Sequence, residues 1–243
     1  IDSHAHCHDK ACDEDRDQLL STVFKSGIRK VINVGASMRS CRETIKLTEV
    51  YEQLYAAIGV HPSDTAELTE EDMKWLKEKS SLEKVVAIGE IGLDYYWDEP
   101  DREIQKKWFR RQLELAKEVN LPVIIHSRDA AAHTIEIMKE YGSCEIPGVI
   151  HCYSYTKESA REFLEMGYSF GIGGVLTFRV KGGFDAAAAL VTRLELILHV
   201  GSVGDAKSLI VHPASTTHSQ LSPEEQVAAG VYPNMLRLSV GIE

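Results

Sequence analysis

Apolar residues along the chain gather into short continuous runs rather than alternating with polar ones. Such runs fall at IDSHAH (1–6), VINVGA (31–36), YAAIGV (55–60), VVAIGEIG (85–92), PVIIHSR (122–128), GVIHCYS (148–154), YSFGIGG (168–174) and SLIVHP (208–213). Runs of this length and continuity predict parallel strands buried on both faces. Helix-like stretches lie between them. REIQKKWFRRQLELAKEV (102–119) places Ile104, Trp108, Leu113 and Leu115 on a core-facing stripe with charges opposite. TKESAREFLEMG (156–167) predicts a helix capped by Thr156 and ended by Gly167. Eight strand–helix units in 243 residues predict an α/β chain of the TIM (β/α)8 barrel type. A doubly wound open sheet is the alternative, but no glycine-rich phosphate fingerprint follows the first run.

Composition narrows the classes. Hydrophobic residues make up 44% of the chain, enough for a sizeable core. No apolar stretch is long enough for a membrane span, and no basic segment with an apolar run opens the sequence, so a cytoplasmic protein without a membrane partner is expected. The net charge of -10 argues against a broad basic surface for duplex DNA. It leaves room for a nuclease, because bound divalent cations supply local positive charge. The five cysteines are odd in number and irregularly spaced, and read as reduced thiols.

The barrel reading makes a test for chemistry, since functional side chains belong at the C-terminal ends of barrel strands. His4 and His6 close the first run, Glu90 falls near the end of the fourth, His126 in the fifth and His151 in the sixth, and His61 follows the third. Positions 4 and 6 on a strand point to one side, and two neutral imidazoles there suit zinc, manganese or iron. A polar N-terminal tail is the competing reading of His4, His6 and His8; the partners farther along the chain favour a metal site. Tyr95, Tyr96 and Trp97 either stack on an unpaired base or pack beneath a loop. Cys152, beside His151, is expected to point away from it as a buried small hydrophobe.

HAH at the start, GVHP (59–62), GEIGLDYYWD (89–98), FRRQLELAKEVNLPVIIHSRDA (109–130) and IHCYS (150–154) resemble the TatD family of metal-dependent deoxyribonucleases over residues 1 to about 176. The resemblance implies a TIM barrel holding one or two divalent metals (zinc, manganese or magnesium) and acting on DNA or another phosphodiester. It carries His4 and His6 to one metal and His126 and His151 to the other, bridged by Glu90. It places His61 and Arg128 against the substrate phosphate, so that Glu90, His61 and Arg128 form the catalytic set. His8 matches no ligand and is expected to face solvent.

The family ends its eighth strand on an aspartate in a motif like ETDSPYL, and this chain has no such motif. From about Lys181 the sequence resembles instead the C-terminal domain of PLP-dependent cystathionine γ-synthase-like enzymes, O-acetylhomoserine sulfhydrylases especially, through SVGDAKSLIVHPASTTHSQL and LRLSVGIE. In that family the position of Arg237 binds the substrate carboxylate. The Schiff-base lysine of that family is missing, so no PLP is expected. The chain therefore reads as an engineered or recombined chimera with a barrel portion at 1–178 and a foreign segment at 179–243. Residues 186–200 are expected to stand in for barrel helix 7, SLIVHP for strand 8, and RLSVGIE (237–243) to be a surplus strand paired with SLIVHP. A small separate lobe beside an open seven-stranded barrel is the alternative. His212 and Asp205 are the tail residues that could approach the site in place of the aspartate. Weak or absent deoxyribonuclease activity follows as the expectation, with a non-catalytic fold chimera and a metal-dependent amide or ester hydrolase as the alternatives. The oligomeric state is left open.

Overall fold

The computed structural model describes residues 1–25, 27–142, 147–171, 175–194, 198–199 and 209–239. The chain divides into two compact units, Ile1–Gly171 and Ile172–Glu243.

The first unit carries seven strands, β1 (Asp2–Ala5), β2 (Val31–Val34), β3 (Leu54–Ile58), β4 (Val85–Asp94), β5 (Val123–Arg128), β6 (Gly148–Ile150) and β7 (Ser169–Phe170). They pair in sequence order, each parallel to the next. Helices α1 (Arg16–Lys25), α2 (Met38–Val50), α3 (Glu70–Lys79), α4 (Arg102–Val119), α5 (Ala131–Tyr141) and α6 (Lys157–Glu165) fill the crossovers. This is the strand–helix alternation of a TIM-like α/β fold. In a flat sheet β1 and β6 would lie about 24 Å apart, five spacings of roughly 4.8 Å. Instead His4, on β1, and His151, just past β6, stack with ring centroids 3.5 Å apart. The sheet is therefore strongly curled, and its C-terminal strand ends converge.

A core of Ile58, Leu76, Ile88, Leu93, Phe109 and Phe163, among others, fills the space between sheet and helices. The inward face of α4 differs from the predicted stripe. Ile104 is exposed, whereas Gln105, Trp108, Phe109, Gln112, Leu113, Leu115 and Ala116 are buried. The two glutamines explain this. Gln112 accepts from the Val60 amide at 2.7 Å and donates to the Val60 carbonyl at 3.0 Å. Gln105 does the same for Asp94, at 2.9 and 3.0 Å. They are seven residues apart and so lie on one helical face. Each satisfies backbone groups at a strand end, where the ladder has run out of partners. Thr156 caps α6 through the Ser159 amide, as its sequence predicts, and Gly167 follows with φ of 88°.

The second unit holds β8 (Val175–Arg179), α7 (Gly183–Arg193), β9 (Leu198–His199), β10 (Leu209–Val211), α8 (Pro223–Ala228) and β11 (Met235–Ser239). Its four strands form their own sheet in the order β8-β11-β10-β9, packed on Ala187 and Val191 of α7. SLIVHP does pair with the C-terminal strand, antiparallel, with Leu209 opposite Ser239. Within this sheet β10 pairs antiparallel with β11 on one edge and parallel with β9 on the other. The helix expected over 186–200 stops at Arg193, and Leu198–His199 is a strand. Residues 143–146, 172–174, 195–197, 200–208 and 240–243, and with them Cys144, Asp205 and the last residues of RLSVGIE, lie outside the described residues.

Candidate metal centre

Glu90 sits inside β4, four residues before its end, and is 4% exposed. Burial alone would raise its pKa. Hydrogen bonds with His126 and His4 outweigh that and hold the carboxyl well below its ordinary value. Its two oxygens face different ways. Oε1 lies 2.9 Å from Nδ1 of His126, and Oε2 lies 3.4 Å from Nε2 of His4. Around this one carboxylate two sets of donors converge: His4, Glu90 and His151, and His61, Glu90 and His126, each set with its ligand atoms within 4.8 Å of one another.

The backbone puts each member there. The Glu90 amide donates to the Gly35 carbonyl past β2, the His61 amide to Ala36, and the His151 amide to Ile125 on β5. Gly92, with φ of 146°, lies opposite His126 in the β4–β5 register. A side chain there would meet the His126 carbonyl oxygen at 1.9 Å, so only glycine lets the two strands approach this closely.

The protonation states suit ligation. Burial, then the proximity of His126, lowers His61 to about 4; burial, then His4, lowers His151 to about 4. Both rings are therefore neutral at pH 7, the form that binds a metal. His61 accepts at Nδ1 from the Ser63 amide, at 3.2 Å, so in the neutral ring Nε2 carries the proton and offers the site an N–H donor. His6 Nδ1 lies 2.9 Å from the Val34 carbonyl, which can only accept, so this nitrogen carries the proton and Nε2 keeps its lone pair for the site. His126 is flanked by carboxylates on both nitrogens, with Asp94 Oδ2 3.0 Å from Nε2. Burial lowers its pKa, but the contacts with Glu90 and Asp94 prevail and raise it.

The residues fit a divalent cation by a test internal to the structure. Nδ1 of His4 is buried without a hydrogen-bond partner, and its Nε2 lies 3.1 Å from Nε2 of His6, two like atoms in contact. Once Asp94 takes the Nε2 proton of His126, the Nδ1 lone pair confronts Glu90 unless that nitrogen is also protonated. A cation between the two Nε2 atoms, or between Nδ1 of His126 and Glu90, would turn each of these acceptor-to-acceptor contacts into shared ligation. The nitrogen and carboxylate donors suit a divalent cation.

Of the sequence-predicted residues, His4, His61, Glu90, His126 and His151 are brought together. His6 is exposed and touches the first set through His4 rather than joining it. The pairing of His126 with His151 implied by the resemblance is not one of the two sets. Arg128 ends β5 on the same side, opposite Asp94 in register. His8 is half-buried, not solvent-facing, with Nδ1 3.3 Å from Thr44 Oγ1. Cys152 is exposed rather than buried, because its backbone turns through φ of 46° just past β6. In the second unit, His212 has both ring nitrogens engaged, Nδ1 with Ser215 Oγ and Nε2 with the Pro233 carbonyl, each at 2.8 Å. Asp94 was missed by sequence reasoning, although it stands four residues beyond Glu90 on the same strand and inside the quoted GEIGLDYYWD.

A curled parallel sheet whose strand ends gather imidazoles around a shared carboxylate defines a metal-dependent hydrolase of the TIM-like class. The chain belongs to the TatD family: residues 1–199 match the family model for TatD related DNase. An uncharacterized metal-dependent hydrolase of Bacillus subtilis, YabD, is 43% identical over 179 residues, 74% of this chain and 70% of that protein. The crystal structure of YjjV, a TatD homolog of Escherichia coli, superposes with a TM-score of 0.68 at 33% identity, covering 72% of this chain and 68% of that one. A hydrolase TatD family protein of Entamoeba histolytica gives 0.65 at 29% identity, covering 71% and 64%. A separate segment of 71 residues is 63% identical to O-acetyl-L-homoserine sulfhydrylase 1 of Thermus thermophilus, covering 29% of this chain and 17% of that protein. Two families thus meet in one polypeptide, consistent with a chimera. Among the described residues no helix is long and apolar enough to cross a membrane.

Proposed function

We propose that the chain is a metal-dependent phosphodiester hydrolase of the deoxyribonuclease type, with activity weak or absent because the family's strand-8 aspartate has no counterpart. The observation that carries this reading is Glu90, whose two oxygens each serve one set of histidines. His4, His6, Glu90, His126 and His151 are the proposed ligands, with His61 beside the second set.

A bound divalent cation at such a centre supplies Lewis acidity toward a phosphoryl oxygen and makes water acidic enough to attack near neutral pH. The protein's own residues do the rest. Glu90, ionised and buried, keeps the two donor sets a fixed distance apart. His61, neutral and held through Nδ1 by Ser63, presents Nε2 to the substrate side. Arg128 offers a permanent positive charge whose planar fork matches a phosphate. The missing aspartate would have added a carboxylate beside His4 and His6, where a base for the attacking water is wanted. His212 does not replace it, because neither ring nitrogen is left over.

The non-catalytic chimera is the second reading, and the separate pairing of β8–β11 favours it, since the segment standing where the family supplies its last ligand builds a sheet of its own. Assay of the purified chain with manganese or magnesium on a short oligodeoxynucleotide decides between them. Loss of a single supporting group costs about 10–100-fold, so a rate at least tenfold below an intact family member is expected. A rate equal to that of an intact enzyme contradicts the proposed defect. Turnover that persists unchanged in both Glu90→Ala and His126→Ala contradicts the site.

A further inference from the structure

Two large aromatic side chains stand exposed at the rim of the metal centre. Tyr96 is 55% and Trp97 is 66% exposed, although aromatic rings of this size ordinarily bury themselves. They are not loosely attached. The Tyr96 and Trp97 amides both donate to Oδ1 of Asp94, at 3.0 and 3.4 Å, while Oδ2 of the same carboxylate holds His126. Asp94 is itself buried and clamped by Gln105. The Arg128 guanidinium lies over the Tyr96 ring, 3.7 Å from its centroid, and the two aromatic rings meet edge to face at 5.0 Å. One rigid carboxylate thus fixes the aromatic pair at a set distance from the ligands.

We propose that Tyr96 and Trp97, backed by Arg128, form a stacking subsite for an unpaired nucleobase next to the phosphodiester that the metal centre receives. This inference rests on the phosphodiesterase reading. The chemistry favours a base over other planar groups for one reason: Arg128 stacks on Tyr96 through its flat face and keeps its edge N–H groups for an adjoining phosphate. A base and its phosphate are the ligand that fills both. A paired base inside a duplex offers no free face, so the subsite takes unstacked ends or single strands. The chain's net charge of -10 makes such a local subsite more important, because a general electrostatic attraction to the strand is lacking.

The test compares binding of fluorescein-labelled oligothymidylate with that of an abasic strand of equal length, by anisotropy at one salt concentration. The full chain is expected to bind oligothymidylate about tenfold more tightly than the abasic strand. Tyr96→Ala and Trp97→Ala should each remove most of that difference; Trp97→Phe, which keeps a ring, should retain most of it. Equal binding of both strands by the unaltered protein, or alanine variants that leave the preference intact, overturns the stacking subsite while the phosphodiesterase reading stands. Failure to bind either strand overturns that reading, and the subsite with it.

Discussion

Nε2 of His126 lies 3.0 Å from Oδ2 of Asp94, which turns the other ring nitrogen toward Glu90. A carboxylate behind a histidine fixes its tautomer and makes it a better donor. Asp94→Asn keeps the shape and removes the charge. Manganese affinity by calorimetry should fall about 10–100-fold. Unchanged affinity would mean that His126 needs no such brace, or is not a ligand.

Gln112 braces the strand end that precedes His61. Gln112→Leu preserves volume but strips both partners from the buried Val60 backbone. Each unsatisfied buried group costs about 1–3 kcal/mol, so a loss of roughly 2–6 kcal/mol is expected in urea unfolding. A change below about 1 kcal/mol would show that water or relaxation replaces the glutamine.

Gly92→Ala tests the close approach of β4 and β5. The added methyl meets the His126 carbonyl, and φ of 146° is hostile to alanine. Destabilisation of more than about 1 kcal/mol is expected, together with weakened manganese binding, because the strand that carries His126 must move. An alanine variant as stable as the original contradicts the geometry.

The buried thiol of Cys41 gives an alkaline signature. Burial pushes its pKa up to about 12 from 9.0. The unfolded chain releases this proton near pH 9 while the folded chain retains it, so between pH 9 and 12 the folded state binds more protons and stability falls as pH rises. Below pH 9 the contribution is fully present. Cys41→Ser, which does not titrate there, should show a shallower alkaline decline in urea midpoint. Parallel declines in both proteins would remove Cys41 as the cause.

Much of the first unit was legible because parallel, doubly buried strands leave continuous apolar runs, and because HAH, GVHP and IIHSR carry histidines at the ends of such runs. Asp94 and the α4 glutamines were not, for a physical reason. Their role is to satisfy backbone groups or a ring nitrogen brought near by tertiary packing, and neither composition nor periodicity marks a polar residue as buried. Ile104 shows the converse, an apolar residue turned outward because Gln105 had a better claim on the inner face. His8 and Cys152 failed similarly: one is captured by Thr44, and the other is swung out by a positive φ no strand pattern reveals. The parallel partner of SLIVHP was not legible, because a strand's apolar run does not say which neighbour it will pair with. Its own segment supplies partners on both sides, and those pairings win.

Glu90 faces both donor sets, one with each oxygen, and so would be shared between two cations. A crystal soaked in manganese and recorded for anomalous scattering tests it directly. Two peaks are predicted, one within ligand distance of His4 and Glu90 and one within ligand distance of His126 and Glu90. No peak within ligand distance of Glu90, or a single ion that leaves its carboxylate untouched, contradicts the account.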